Sequence, residues 1–282
     1  MNLSTNRSKP TGRSKPTGGV EETGRRFSWR TLGVVLAVAA PTSLLIIPFS
    51  MTLLGQGDGA EIPLWAFVVG TLIQGVVFAA IAGGLGLWLG PKVGLGAPDL
   101  RGVLHGEPGS GQRVLSALSL AAGLGLALGV VGLALGAGLE PLLPGAVQRS
   151  LEEAVMPPPW EGFLASISAG VNEEILFRLG LMTLFVFLGA KLLRQGERPT
   201  AGVVWTAIVL VALLFGAGHL PQAAALGDGL SASLVAYALL ANGLGGLVFG
   251  WLYWKRGLVA AVSAHFAADI VVHVILPAIG SI

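Results

Sequence analysis

The 282-residue sequence contains no cysteine and few charged residues, which make up only 11% of the chain. Without a thiol the chain can form neither a disulfide framework nor a thiolate metal site. A soluble domain normally carries about twice that charged fraction. Hydrophobic residues make up 53% of the chain, and long apolar runs recur from Thr31 onward. The composition therefore excludes both a water-soluble globule and a disordered chain.

Basic charge is concentrated at the N-terminus. Residues 1–30 hold seven Lys or Arg and two Glu, although the net charge of the whole chain is only +2. Residues 1–28 are polar and rich in Pro and Gly, so we expect a disordered cytoplasmic tail. This tail is either a solvated leader or a segment that contacts anionic lipid head groups. A basic tail before a hydrophobic body indicates a membrane protein and not a nucleic-acid-binding protein.

Seven apolar segments follow the tail, and each approaches or exceeds the roughly 20 residues that a helix needs to cross the hydrocarbon core. They cover residues 31–54, 64–90, 114–139, 161–190, 201–221, 231–254 and 257–277. The predicted fold is all-α: a polytopic membrane helix bundle over residues 29–282 with about seven transmembrane helices. A further re-entrant segment would make eight.

The distribution of basic residues and tryptophans supports this topology. With the N-terminus inside, 15 of the 17 Lys and Arg lie in the tail or the inner loops, as the positive-inside rule predicts. All seven tryptophans fall at predicted span ends, which is typical of the membrane interface. They are Trp29, Trp65, Trp88, Trp160, Trp205, Trp251 and Trp254. The sequence therefore predicts an integral membrane protein with a cytoplasmic N-terminus, and its short loops and Gly/Ala/Leu-rich composition favour a bacterial cell membrane.

Ionisable residues inside the spans are confined to the second half of the chain. The first three spans contain none away from their ends, whereas the later spans contain Glu173, Glu174, Arg178, His219, His265, Asp269 and His273. One charge near the bilayer centre costs about 2.5–3.5 kcal/mol on insertion scales. We therefore expect a polar site enclosed by the helices of residues 160–275.

Helical spacing orients these side chains. Glu174 and Arg178 are four residues apart, in the favourable order for an ion pair. Glu173 lies about 100° around the helix from Glu174, so one carboxylate can be paired while the other points elsewhere. On straight helices Glu173, His219 and His265 lie at different depths. Glycines before His219 and a proline after it favour a local break that would help them to meet.

Three motifs occur in order inside these spans. They are E-E-x-x-x-R at Glu173–Arg178, F-x-x-x-H at Phe215–His219 and H-x-x-x-D at His265–Asp269. Together they resemble the CPBP family of intramembrane endopeptidases, which includes type II C-a-a-X prenyl proteases and bacteriocin-processing or self-immunity proteins. The resemblance covers about residues 160–275. It implies hydrolysis of a peptide bond in a membrane-associated protein or peptide.

The resemblance also implies residue roles. Glu173 would be the base that activates water, and His219 would help to hold that water. His265 and Asp269 would lie near the developing oxyanion. The family motif often ends in Asn, which donates a hydrogen bond, whereas Asp269 donates only when protonated. Asp269 would therefore either be held protonated or orient His265.

Three supporting residues are implied as well. Glu174 would be held by Arg178, and Phe215 would pack beneath His219. Water activation by glutamate and histidine requires no cofactor. Glu173, His219 and His265 are nevertheless the ligand types of a catalytic zinc site, although the HExxH motif is absent. Metal-free and zinc-assisted hydrolysis both remain open at this point.

Two other functions compete with proteolysis. Intramembrane Glu, His and Asp residues can relay protons, which would suit a proton-coupled transporter. However, the polar residues lie in only one half of the chain, and no repeat relates the two halves. A non-catalytic self-immunity protein on the same fold is the other alternative. In each case the lipid bilayer is an expected partner and nucleic acid is not.

Overall fold

The computed structural model describes residues 27–55, 62–154, 156–226 and 229–280. Within these ranges the chain forms helices and no strand, which confirms the all-α prediction. The helices are α1 (Trp29–Leu54), α2 (Leu64–Lys92), α3 (Pro98–Leu104), α4 (Ser110–Leu142), α5 (Gly145–Glu153), α6 (Pro159–Leu192), α7 (Ala201–Ala224), α8 (Ala232–Arg256) and α9 (Leu258–Gly280). Most of the predicted basic tail, residues 1–26, lies outside the described residues.

Seven of these helices are long and apolar enough to cross a membrane, all except the short α3 and α5. This confirms the predicted number of spans. Several helices extend a few residues beyond the apolar segments of the sequence, as α4 does at both ends. Hydropathy marks the hydrocarbon core, whereas the helix continues into the interface while its backbone hydrogen bonds remain satisfied.

The helices that carry the residues of the predicted site are irregular. Helix α6 contains a π-helical segment at Ile175–Met182, and α9 contains another at Val271–Ile275. Helix α7 is interrupted at His219, between Gly218 and Leu220. Pro221 follows this interruption, and a proline ring clashes with the carbonyl four residues earlier in a regular helix. The predicted break in the fifth span is therefore present.

Glycines bring the site-bearing helices into close contact with their neighbours. Gly125 of α4 lies against the main chain of Ala264 in α9, where an added Cβ would collide with the carbonyl oxygen. Gly86 of α2 lies in the same way against the carbonyl of Leu179, inside the π-helical segment of α6. Small residues allow this approach between membrane helices, where packing drives association. These contacts position α6 and α9 within the bundle.

Burial within the bundle follows the distribution of polar residues. Spans α6, α7 and α9 are the most extensively covered by other helices, whereas α1, α2 and α4 leave most of their surface outward. Away from the helix ends, the ionisable side chains of the predicted site therefore occur on the spans that protein surrounds, as the cost of exposing charge to lipid requires.

We expect Gly86→Ala to destabilise the bundle, because its new methyl group would overlap the Leu179 main chain. Overpacking of this kind costs about 1–3 kcal/mol. Gly84→Ala is the matched control, since no atom lies within 4 Å of the added Cβ at that position. Thermal unfolding in detergent should show a lower midpoint for Gly86→Ala alone. Equal midpoints for the two variants would contradict this packing.

Candidate active site

A fully buried ion pair lies at the centre of the polar cluster. Arg178 Nη1 is 2.9 Å from Glu174 Oε1, one helical turn earlier in α6, and neither side chain is exposed. Arg178 Nη2 donates a hydrogen bond of 3.2 Å to the Gly246 carbonyl of α8. The guanidinium carbon also lies 4.8 Å from the centre of the Phe215 ring. The i,i+4 spacing thus produces the ion pair that it predicts.

Glu174 has a second partner that the spacing did not predict. Its Oε1 atom is 2.8 Å from Nδ1 of His265 in α9. An ionised carboxylate can only accept, so Nδ1 carries the hydrogen and donates it. This hydrogen bond selects the His265 tautomer and leaves Nε2 facing the other carboxylates. The Phe249 ring stacks on the imidazole, with centroids 4.7 Å apart and planes 14° apart.

Two further carboxylates lie near the other nitrogen of His265. Glu173 Oε2 is 3.9 Å from Nε2, and Asp269 Oδ2 is 3.6 Å from the same atom. Both distances exceed a direct hydrogen bond. The Glu173 side chain is 33% exposed, yet its Oε2 atom is buried and has no hydrogen-bond partner among the described residues. Glu174 Oε2 likewise has no hydrogen-bond partner among the described residues, but the Glu174 side chain is fully buried, so the two glutamates differ in their accessibility.

His219 joins this cluster through Phe215. The break in α7 leaves His219 half-buried, with Nδ1 2.8 Å from the Phe215 carbonyl. A carbonyl only accepts, so Nδ1 donates and Nε2 is left to accept a hydrogen bond. The Phe215 ring centroid lies 5.0 Å from the His219 ring and 5.7 Å from the His265 ring. One aromatic side chain thus contacts both imidazoles.

Two neighbours of the site had no signal in the sequence. Phe249 and Gly246 both belong to α8, which carries no charged residue except Lys255 and Arg256 at its C-terminal end. Their roles depend on a ring stack and a main-chain carbonyl, and neither contact has a residue-type signature. His273 packs edge-on against Phe49 of α1, with ring centroids 5.3 Å apart.

The proposed zinc ligands do not form a ligand set. Across the part of the chain that the structure describes, no three His, Asp or Glu side chains are grouped closely enough to hold one metal ion. Glu173, His219 and His265 therefore do not fit a zinc site in this arrangement.

Comparison with known proteins gives one match. A family model described as type II CAAX prenyl endopeptidase Rce1-like matches residues 155–271. The match confirms the resemblance seen in the three motifs, although it covers less than half of the chain and leaves out α1, α2 and α4. Neither the comparison with curated proteins nor that with solved structures gave a match.

The match and the helices agree on the class of protein. The chain is an integral membrane protein, and residues 155–271 resemble a protease domain. All seven residues of the predicted site lie inside the matched range. The transporter and non-catalytic alternatives gain no support from either result.

Removing the cation of the buried pair should unfold the bundle more easily. We expect Arg178→Met to cost about 3–5 kcal/mol, because Glu174 would then be a buried carboxylate without its countercharge. Adding Glu174→Gln should recover part of the loss, since the amide requires no cation. Thermal unfolding in detergent measures both effects. An Arg178→Met midpoint equal to that of the wild type would show that the pair contributes nothing.

Proposed function

We propose that the chain is an intramembrane endopeptidase in which Glu173 activates the attacking water. The observation that carries this proposal is the position of Glu173 Oε2, buried without a hydrogen-bond partner among the described residues and 3.9 Å from His265 Nε2. That separation suits a bridging water, which about 2.8 Å from each atom would subtend an angle of about 90°. Both atoms would then orient the same nucleophile.

The reaction needs one proton to move twice. Glu173 takes a proton from the water as its oxygen bonds to the substrate carbonyl carbon, and the carbonyl π electrons move to its oxygen. The protonated Glu173 then gives that proton to the amide nitrogen. The C–N bond breaks as the oxyanion collapses, releasing a carboxylic acid and an amine. Glu173 returns to its carboxylate form, so the cycle is complete without a covalent intermediate.

The surrounding groups assist this transfer through their fixed orientations. His265 is held at Nδ1 by Glu174 and presents Nε2 to the reaction; when Nε2 is protonated it can donate to the oxyanion. Asp269 Oδ2, 3.6 Å from Nε2, stabilises positive charge on that imidazole. His219 Nε2 accepts a hydrogen from the water or the substrate. These groups stabilise charge that develops only during the reaction.

The substrate class follows from where the site lies. Glu173, His219 and Asp269 are half-buried on spans that cross the bilayer, so the scissile bond must reach them within the membrane. We therefore propose a membrane-associated protein or peptide as substrate. The same site gives no reason to prefer solute transport.

Glu173→Gln should abolish cleavage, because the amide keeps the size of the side chain but cannot take up the proton. General acid–base catalysis contributes about 10²–10⁴-fold, so activity should fall by at least about 100-fold. Glu153→Gln, on the exposed surface of α5, is the matched control. Mass spectrometry of membrane-protein termini, in cells producing each variant, identifies the cleavages. Normal termini with Glu173→Gln would reject this mechanism.

Removal of metal ions distinguishes metal-free hydrolysis from zinc-assisted hydrolysis. We expect purified protein treated with 1,10-phenanthroline to cleave its peptide at the untreated rate, because Glu173, His219 and His265 do not group as metal ligands. A zinc peptidase treated in parallel shows that the chelator was effective. Loss of activity that returned only when zinc was added back would instead support a zinc-assisted reaction.

A further inference from the structure

A chain of buried hydrogen bonds leads from a loop to the main chain beside the site. The Gly96 N–H, between α2 and α3, donates to the Tyr253 hydroxyl at 2.9 Å. The Tyr253 oxygen is 2.7 Å from Thr183 Oγ1, which is 3.2 Å from the carbonyl oxygen of Arg178. All three hydrogen bonds are buried. Of the four residues that these hydrogen bonds join, only Arg178 belongs to the proposed catalytic cluster.

The groups at the two ends of this series, the Gly96 N–H and the Arg178 carbonyl, determine the direction of every hydrogen bond in it. The Arg178 carbonyl can only accept, so Thr183 uses its single hydroxyl hydrogen there. Tyr253 must then donate to Thr183 and accept from Gly96 N–H. Each hydroxyl gives one hydrogen bond and receives one. Removing either hydroxyl would leave a buried group without its partner.

The Arg178 carbonyl lies inside the π-helical segment of α6. It also accepts from the Thr183 main-chain N–H, five residues later, which is the hydrogen bond that defines a π turn. The Thr183 hydroxyl therefore reinforces the same carbonyl. The π geometry is rare and occurs mostly at functional sites. A second hydrogen bond to the same carbonyl at this point therefore suggests a role in the function of the site.

Helix α8 contacts Arg178 in two ways. Gly246 accepts from the guanidinium, and Tyr253 supports the Arg178 carbonyl through Thr183. Phe249, which stacks on His265, lies between them in sequence. The spacing of three and four residues places all three on one face of the helix. This face of α8 therefore contacts the Arg178 side chain directly and its main-chain carbonyl through Thr183.

We propose that Tyr253 and Thr183 are positioning residues for catalysis. They hold the π turn of α6 so that Arg178 keeps Glu174 in place, and Glu174 in turn orients His265. The proposal rests on the endopeptidase function proposed above. The competing explanation is that Tyr253 only anchors the loop at Gly96. In that case its hydroxyl would affect stability without acting through Glu174.

Kinetics on a peptide cleaved by the wild-type protein tests the proposal. Tyr253→Phe and Thr183→Val each remove one hydroxyl and little else, so kcat should fall by about tenfold while KM stays unchanged. A tenfold change corresponds to about 1.4 kcal/mol, the range of one buried hydrogen bond. Thr183→Ser keeps the hydroxyl and should retain kcat within about twofold. Unchanged kcat in Tyr253→Phe would overturn the proposal.

A double-mutant cycle separates positioning from general stability. If Tyr253 acts through Glu174, then Tyr253→Phe should have little further effect on kcat in a Glu174→Gln background. A purely structural contribution would lower kcat by the same factor in both backgrounds, and that outcome would overturn the proposal. Thermal midpoints of all variants, measured in parallel, show how much of each change follows from stability.

Amide hydrogen exchange gives a readout that is independent of activity. In Tyr253→Phe, peptides covering residues 175–183 should exchange faster than in the wild type, while those covering α4 should not change. Exchange at the wild-type rate would overturn the proposed support of the π turn. If the wild-type protein cleaves no peptide, the proposed endopeptidase function is wrong. The exchange measurement would then still test whether Tyr253 supports the π turn.

Discussion

The buried contact between Arg178 and Glu174 is the interaction on which the rest of the site depends. Both side chains are completely removed from solvent, so each charge requires the other. The same Glu174 oxygen accepts from His265, and Arg178 in turn reaches the Gly246 carbonyl. One carboxylate thereby joins α6 to α9, and one guanidinium joins α6 to α8. The charged cluster therefore constrains the relative rotation of α6, α8 and α9 within the apolar bundle.

Adjacent glutamates have opposite environments in this cluster. Glu174 is fully buried and its Oε1 is held by an ion pair and an imidazole, which suits a fixed charge, whereas its Oε2 has no hydrogen-bond partner among the described residues. Glu173, the preceding residue, has a buried oxygen without a hydrogen-bond partner among the described residues and a side chain that is partly exposed. The helical rotation of about 100° between neighbours separates the two environments. A group that must take up and release a proton requires such freedom, so the proposed roles follow from the surroundings and not from residue type.

Helices α6 and α7 are irregular where they carry residues of the predicted site. Straight spans would place Glu173, His219 and His265 several ångströms apart along the membrane normal. Helix α7 is interrupted at His219, and its Phe215 ring contacts both imidazoles. Helix α6 changes to π geometry directly after Glu174. The hydrogen bonds of Thr183 and Tyr253 lead to the Arg178 carbonyl inside that π-helical segment, and on our proposal they connect its geometry to the orientation of the site.

The sequence by itself determined the number of spans, the half of the chain that carries the site and the Glu174–Arg178 pair. Each of these depends on local properties: apolar length, the cost of burying charge, and the periodicity of one helix. Only the tertiary structure decided that Glu174 also binds His265, 91 residues away, that Phe249 stacks on that imidazole, and that Tyr253 reaches the π turn. Such contacts depend on how helices rotate and cross, and these are set by glycine packing and helix breaks acting together across the bundle.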